Sequence, residues 1–204
     1  GQRITLDDCS FALSLVPVQA YALMSEDSKT LTFYYDRLKN FRDGTVYALN
    51  TGNNTPGWYI ADGSSPMTKV VFDPSFDTVR PTSTCGWFMR MASLTTIEGI
   101  EYLHTDEVST MLSMFYNCSS LTALDVSGFN TAKVTNMGNL FYNCSSLIAL
   151  DVSGFNTAKV TNMTAMFQHC KKVTNLDVSG FNTAEVTDMK WMFSTCYALQ
   201  NLDV

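Results

Sequence analysis

An α/β solenoid, with parallel strands on one face, short helices on the other and an N-terminal β-rich cap, is predicted by three features of the sequence. The first is a unit of 26 residues repeated almost verbatim: Leu124, Leu150, Leu176 and Leu202 fall at that interval, as do Cys118, Cys144, Cys170 and Cys196. The second is a change of apolar spacing inside each unit, from the alternation of a strand to the steps of three and four of an amphipathic helix. The third is an N-terminal stretch that lacks the period and is rich in β-branched and aromatic residues.

In chain order, residues 1–70 are expected to form the β-rich cap. The mostly apolar run from Phe11 to Met24 lacks a basic flank apart from Arg3 and is interrupted by Pro17, so it reads as mature protein rather than as an export signal. Gly1 reads as a remnant of tag removal, so that an export signal is expected to have been trimmed away. Thr30–Tyr35 and Thr45–Leu49 read as two strands of a hairpin whose polar connection ends in Asp43-Gly44. Asn50–Gly57 is loop-like, and Lys69–Phe72 leads into the first repeat. Such a cap would shield the apolar end of a stack.

The repeats divide as 71–96, 97–123, 124–149, 150–175 and 176–201, with a partial unit at 202–204. Leu121, Leu124 and Val126 follow an L-x-x-L-x-V pattern, which predicts a short strand, and Gly128 then allows a turn. Val134, Met137, Leu140, Phe141 and Cys144 recur at steps of three and four and predict a helix of about ten residues. Ser109, Thr135, Thr161 and Thr187 stand where a hydroxyl would cap it. Strand, turn, short helix and return is the leucine-rich-repeat plan, in which no unit covers its own apolar side and neighbours must stack.

The unit LDVSGFNTAKVTNM, completed by MF..C..L and preceded by LTFYYD, KVVFDPSF and RPTST.GWF, resembles BspA-like leucine-rich-repeat surface proteins of bacteria and the related mycoplasma-lipoprotein-type repeats. The resemblance covers residues 20–204. It implies a secreted or cell-surface protein and, as in some members, adhesion to host extracellular-matrix proteins or to other surface proteins.

Composition narrows the partners. Thirteen Lys and Arg against nineteen Asp and Glu make a formal charge of −6, unsuited to nucleic acid or anionic membranes. No apolar stretch reaches the roughly 18 residues of a membrane span, so no insertion by this segment is expected. The two histidines, His104 and His169, occupy different repeat positions, and neither a phosphate loop nor a spaced metal cluster appears. A non-catalytic module without cofactor or metal is therefore expected, acting in binding or adhesion; the alternatives are a spacer that projects other domains and a glycan-binding module.

The candidate binding face consists of Glu98, Asp125, Asp151 and Asp177, expected to face outward in one row, together with the loop aromatics Trp58 and Tyr59. The acidic row could bind calcium or a basic partner. Alternatively, each Asp accepts hydrogen bonds from its own turn, such as from the Ser127 or Gly128 amides. Asn130, Asn156 and Asn182 are expected to satisfy turn amides, and the four in-register cysteines to be buried free thiols. Trp87 is expected in the core and Trp191 on the helix surface.

Overall fold

The computed structural model describes residues 16–61 and 65–203. Gly1, Cys9 and residues 11–15 of the Phe11–Met24 run lie outside the described residues, as does Val204. The remainder is mostly β. A mixed five-stranded sheet combines β1 (Gln19–Met24), β2 (Thr30–Asp36), β3 (Thr45–Ala48), β4 (Lys69–Phe72) and β5 (Thr96–Glu98) in the order β3-β1-β2-β4-β5. A second sheet pairs β6 (Asn175–Asp177) with β7 (Asn201–Asp203) in parallel.

The strands at Thr30 and Thr45 form where β-propensity places them, but they are not each other's neighbours. β1, unrecognised in the apolar run, lies between them and pairs antiparallel with both. The hairpin is therefore β1–β2, closed by Ser25–Lys29, where Asp27 accepts from the Ser25 hydroxyl and the Lys29 amide. On the other edge β2 pairs in parallel with β4, and β4 with β5, so the N-terminal sheet runs into the repeats without a break. Leu31 and Phe33 on β2 and Val70 and Phe72 on β4 point to one buried face, as alternation requires. Phe33 stacks on Phe72 at 4.7 Å and on Trp87 at 4.8 Å, joining cap and first repeat in one apolar cluster.

The α/β leucine-rich-repeat solenoid is not what forms. Two short 3-10 turns, Pro74–Thr78 and Ile100–Tyr102, are the only helices among the described residues, and the segments expected to be α-helical are chains of tight turns. Their hydrogen bonds explain why. The amides of Met111, Ser113, Phe115 and Asn117 donate to Asn136, Gly138, Leu140 and Tyr142 carbonyls of the next unit at 2.7–2.9 Å. The alternate amides of Met114, Tyr116 and Cys118 donate to carbonyls three residues back at 3.1–3.2 Å. An α-helix needs every interior amide for the carbonyl four residues back, and here half of them are spent on the neighbouring unit. The same alternation continues through Met137–Asn143 and Met163–His169. A helix of some ten residues is marginal on its own, so the bonds to the neighbour prevail.

Parallel bridges join Ser83 to Thr110, Thr110 to Asn136, Asn136 to Asn162 and Asn162 to Asp188, which puts equivalent residues of successive units side by side. The expected strands near 124 and 150 do not form; residues 121–126 and 147–152 meet through the Ile148 amide and Thr122 carbonyl at 3.3 Å. The hydroxyls expected as helix caps have another use. Those of Ser109, Thr135, Thr161 and Thr187 donate to the Thr82, Ser109, Thr135 and Thr161 carbonyls of the preceding unit, at 3.0–3.1 Å.

Inside, Phe115, Phe141, Phe167 and Phe193 form a column of near-parallel rings with centroids 5.6–5.7 Å apart. Cys118, Cys144, Cys170 and Cys196 are free thiols, the first three buried. Each donates to a phenylalanine carbonyl of the preceding unit at 3.1–3.2 Å. Burial pushes the Cys170 thiol up to about 12 and Cys144 well above its ordinary range, so both stay protonated and unreactive.

A candidate binding groove

Each tight turn needs one residue with left-handed backbone, and every unit supplies two such positions, four residues apart. Gly86, Ser113, Asn139, Ala165 and Trp191 occupy the first, with φ between 54° and 64°. Arg90, Asn117, Asn143, His169 and Thr195 occupy the second, with φ between 52° and 65°. For residues other than glycine this conformation costs roughly 1–2 kcal/mol, least for asparagine. The turns also decide which side chains share a face. Tyr142 donates its amide to Asn139, and Gln168 donates to Ala165, each at 3.1 Å, so the turn closes each pair three residues apart.

Two columns thus line a shallow groove of about 520 Å³ that crosses the units. One column holds Tyr116, Tyr142 and Gln168; the other holds Asn139, Ala165 and Trp191, with Thr164 beside them. Tyr116 and Tyr142 stack at 4.5 Å with planes 6° apart, and Tyr142 meets the edge of His169 at 5.3 Å. Ala165 is buried and keeps the floor low, while Trp191 is 65% exposed. Burial, and then Tyr142, push the Tyr116 phenol above its ordinary range, so it is uncharged at neutral pH.

The face expected from sequence is arranged differently. Asp125, Asp151 and Asp177 recur once per unit and are exposed, each accepting from the serine amide two residues on at 2.9–3.0 Å. Asp151 and Asp177 also accept from the hydroxyls of Ser153 and Ser179 at 2.7 Å. Glu98, at the end of β5, pairs with Lys69 at 2.8 Å. Trp58 is 1% exposed, edge-on to Phe33 and Trp87, and its indole N–H donates to the Trp87 carbonyl at 2.7 Å. Tyr59 is half-buried, and its backbone amide donates to the Pro56 carbonyl at 3.0 Å. Asn130, Asn156 and Asn182 accept from the alanine amide two residues on, at 3.0–3.1 Å, as expected. Trp87 is buried in the core and Trp191 lies on the surface.

Tyr116, Tyr142, Asn139 and Gln168 were not anticipated. The two tyrosines had a signal in the motif FYNCSSL, present at 115 and again at 141, whose tyrosine falls off the apolar face and still recurs; Asn139 and Gln168 had none there.

The serine contacts make acid stability testable. The hydroxyl of the following serine, then its amide, hold the Asp125, Asp151 and Asp177 carboxyls below the ordinary 3.8. A carboxyl depressed on folding contributes stability that is present above its unfolded pKa and lost as pH falls through the folded one. The urea midpoint should therefore hold from about pH 7 to about pH 5 and fall below about pH 4. The variant Asp125→Asn, Asp151→Asn, Asp177→Asn should show a shallower acid limb; parallel limbs would remove these carboxylates from the account.

A family model described as "Mycoplasma protein of unknown function, DUF285" matches residues 76–203. The chain belongs to this family. The match begins at Phe76, after β4, and takes in both columns of the groove. It agrees with the mycoplasma-type repeat pattern of the sequence. None of the curated proteins and none of the solved structures matches the chain. No helix among the described residues is long and apolar enough to cross a membrane. Among the described residues, no three His, Cys, Asp or Glu side chains are grouped as metal ligands would be.

Proposed function

We propose that the chain is a non-catalytic binding module displayed outside a bacterial cell, in the manner of BspA-like surface proteins, and that it adheres to host-matrix or other surface proteins. The observation that carries this reading is the separation of roles within the repeat. Inward positions are spent on the phenylalanine and cysteine columns, whereas outward positions recur as straight rows of presented groups. One row is acidic, at Asp125, Asp151 and Asp177, and the other is the aromatic and amide groove. Rows at fixed spacing favour an extended partner, because each unit adds one more equivalent contact.

The test is binding of the purified chain to immobilised extracellular-matrix proteins by surface plasmon resonance. Saturable binding to at least one of them is expected. If the acidic row contributes, that binding weakens with salt, since exposed charges are screened over about 8 Å at physiological ionic strength. Failure to bind any matrix protein or surface glycan would overturn the reading in favour of a spacer.

A further inference from the structure

We propose that the groove floored by Ala165 is a binding site for neutral carbohydrate, with Trp191 as its stacking platform; this rests on the binding-module reading above and names a ligand class for it. Three observations converge. The first is Trp191 itself. A bulky residue at positive φ is a genuine outlier, and Trp191 sits at φ 58° in a position filled elsewhere by glycine, serine, asparagine or alanine. It is 65% exposed, so burial of its ring does not offset the strain. Strain of this kind gathers at ligand sites, where the placement of a side chain matters more than its comfort.

The second is the chemistry of the lining. The phenols of Tyr116 and Tyr142, the carboxamides of Asn139 and Gln168, the Thr164 hydroxyl and the Trp191 indole make a lining without a carboxylate, ammonium or guanidinium group. Phosphate, sulfate and carboxylate ligands call for Arg or Lys, and the groove lining has neither. A sugar offers what this surface complements: C–H groups on one ring face for an electron-rich aromatic face, and hydroxyls at the rim for carboxamides that both donate and accept. The side-chain carboxamides of Asn139 and Gln168 hydrogen-bond to no protein group among the described residues, which leaves them available for those hydroxyls.

The third is shape. About 520 Å³ lies within the roughly 300–1,000 Å³ of small-molecule sites. The groove is open along the stack, so a linear oligosaccharide can lie across several units rather than end in a closed pocket.

Trp191 also supplies the assay, because Trp58 and Trp87 are buried and acrylamide quenching reports chiefly on it. Labelled protein on an array of neutral oligosaccharides, including maltotriose, cellotriose and chitotriose, should retain at least one sugar. That sugar in solution should protect Trp191 from quenching in a saturable way. Trp191→Ala should weaken array binding by on the order of tenfold, the scale of one aromatic contact, while its circular dichroism and melting match the wild type. Trp191→Phe should recover part of the loss. No neutral sugar bound, or binding that Trp191→Ala leaves unchanged, overturns the carbohydrate site, as does binding confined to sialylated or sulfated glycans. Matrix-protein binding that persists in any of those cases would leave the broader reading standing, whereas its absence as well would remove both.

Discussion

Replacing Phe141 by alanine is expected to cost about 3–5 kcal/mol of stability, the usual loss for a buried aromatic truncated in a core that cannot collapse around the gap. Phe141 is 0% exposed and lies between Phe115 at 5.6 Å and Phe167 at 5.7 Å. Both neighbours are held by their own backbone bonds to adjacent units, so neither can move into the space. The vacancy therefore removes two ring contacts at once. The carbonyl of Phe141 also accepts the Cys170 thiol, and its amide donates to Met166 at 2.9 Å. These backbone contacts survive in the variant, which isolates the side chain. Phe193→Ala should cost less, because Phe193 is only partly buried. Urea unfolding of the two variants measures both; equal midpoints for Phe141→Ala and wild type would show that the ring column is not the core.

Gly99→Ala should be nearly as damaging, for a different reason. Gly99 follows β5 at φ 68°, and a Cβ there would stand 2.2 Å from the Phe72 carbonyl oxygen of β4. That atom belongs to the last residue of β4, which is paired with Phe33 of β2 and stands one step past the β4–β5 register, so it is backbone that cannot swing aside. The left-handed conformation alone costs alanine roughly 1–2 kcal/mol, and displacing a strand carbonyl adds to it. A total of at least about 2 kcal/mol is expected. Gly154→Ala is the control: nothing lies within 4 Å of its Cβ, so a change within about 0.5 kcal/mol is expected. Equal melting temperatures for the two variants would contradict the β4–β5 junction described above.

The contrast between these glycines shows what could be read from the sequence. Identity every 26 residues put equivalent residues next to one another, so the phenylalanine column and the buried thiols of Cys118, Cys144 and Cys170 were legible from spacing. Cys196, expected to be buried as well, is only partly so, and the aspartates could be read either as a binding row or as bonded to their own turns. The backbone that carries them was not. Apolar residues at steps of three and four mark the face of an α-helix, but a run of turns closed by bonds to the third residue back produces the same steps. Met111, Met114, Phe115, Cys118 and Leu121 fit either. What distinguishes the two is left-handed backbone, and the clue was Asn117, Asn139 and Asn143 standing where a helix interior would disfavour asparagine. In the N-terminal sheet, β2 and β3 were legible from composition. Their neighbour β1 was not, because an apolar run ahead of the first strand invites comparison with an export signal before it suggests a strand. In the groove, Trp191 was legible as a surface residue. Its partners Tyr116 and Tyr142 were not, because only the turn geometry shows that residues three apart share its face.

Each unit closes through left-handed turns bonded to its neighbour rather than through an α-helix, and substitution at position 139 tests this most directly. Asn139 has φ 55°, and its side chain makes no hydrogen bond to protein among the described residues, so substitution there probes the backbone. The decisive measurement is the difference in unfolding free energy between Asn139→Gly and Asn139→Val. In the turn, glycine adopts the conformation freely, whereas β-branched valine resists it. Asn139→Gly should therefore be the more stable of the two by about 1–2 kcal/mol. In an α-helix the order reverses, with valine ahead of glycine by a few tenths of a kcal/mol. A valine variant as stable as the glycine variant, or more so, would contradict the turn ladder.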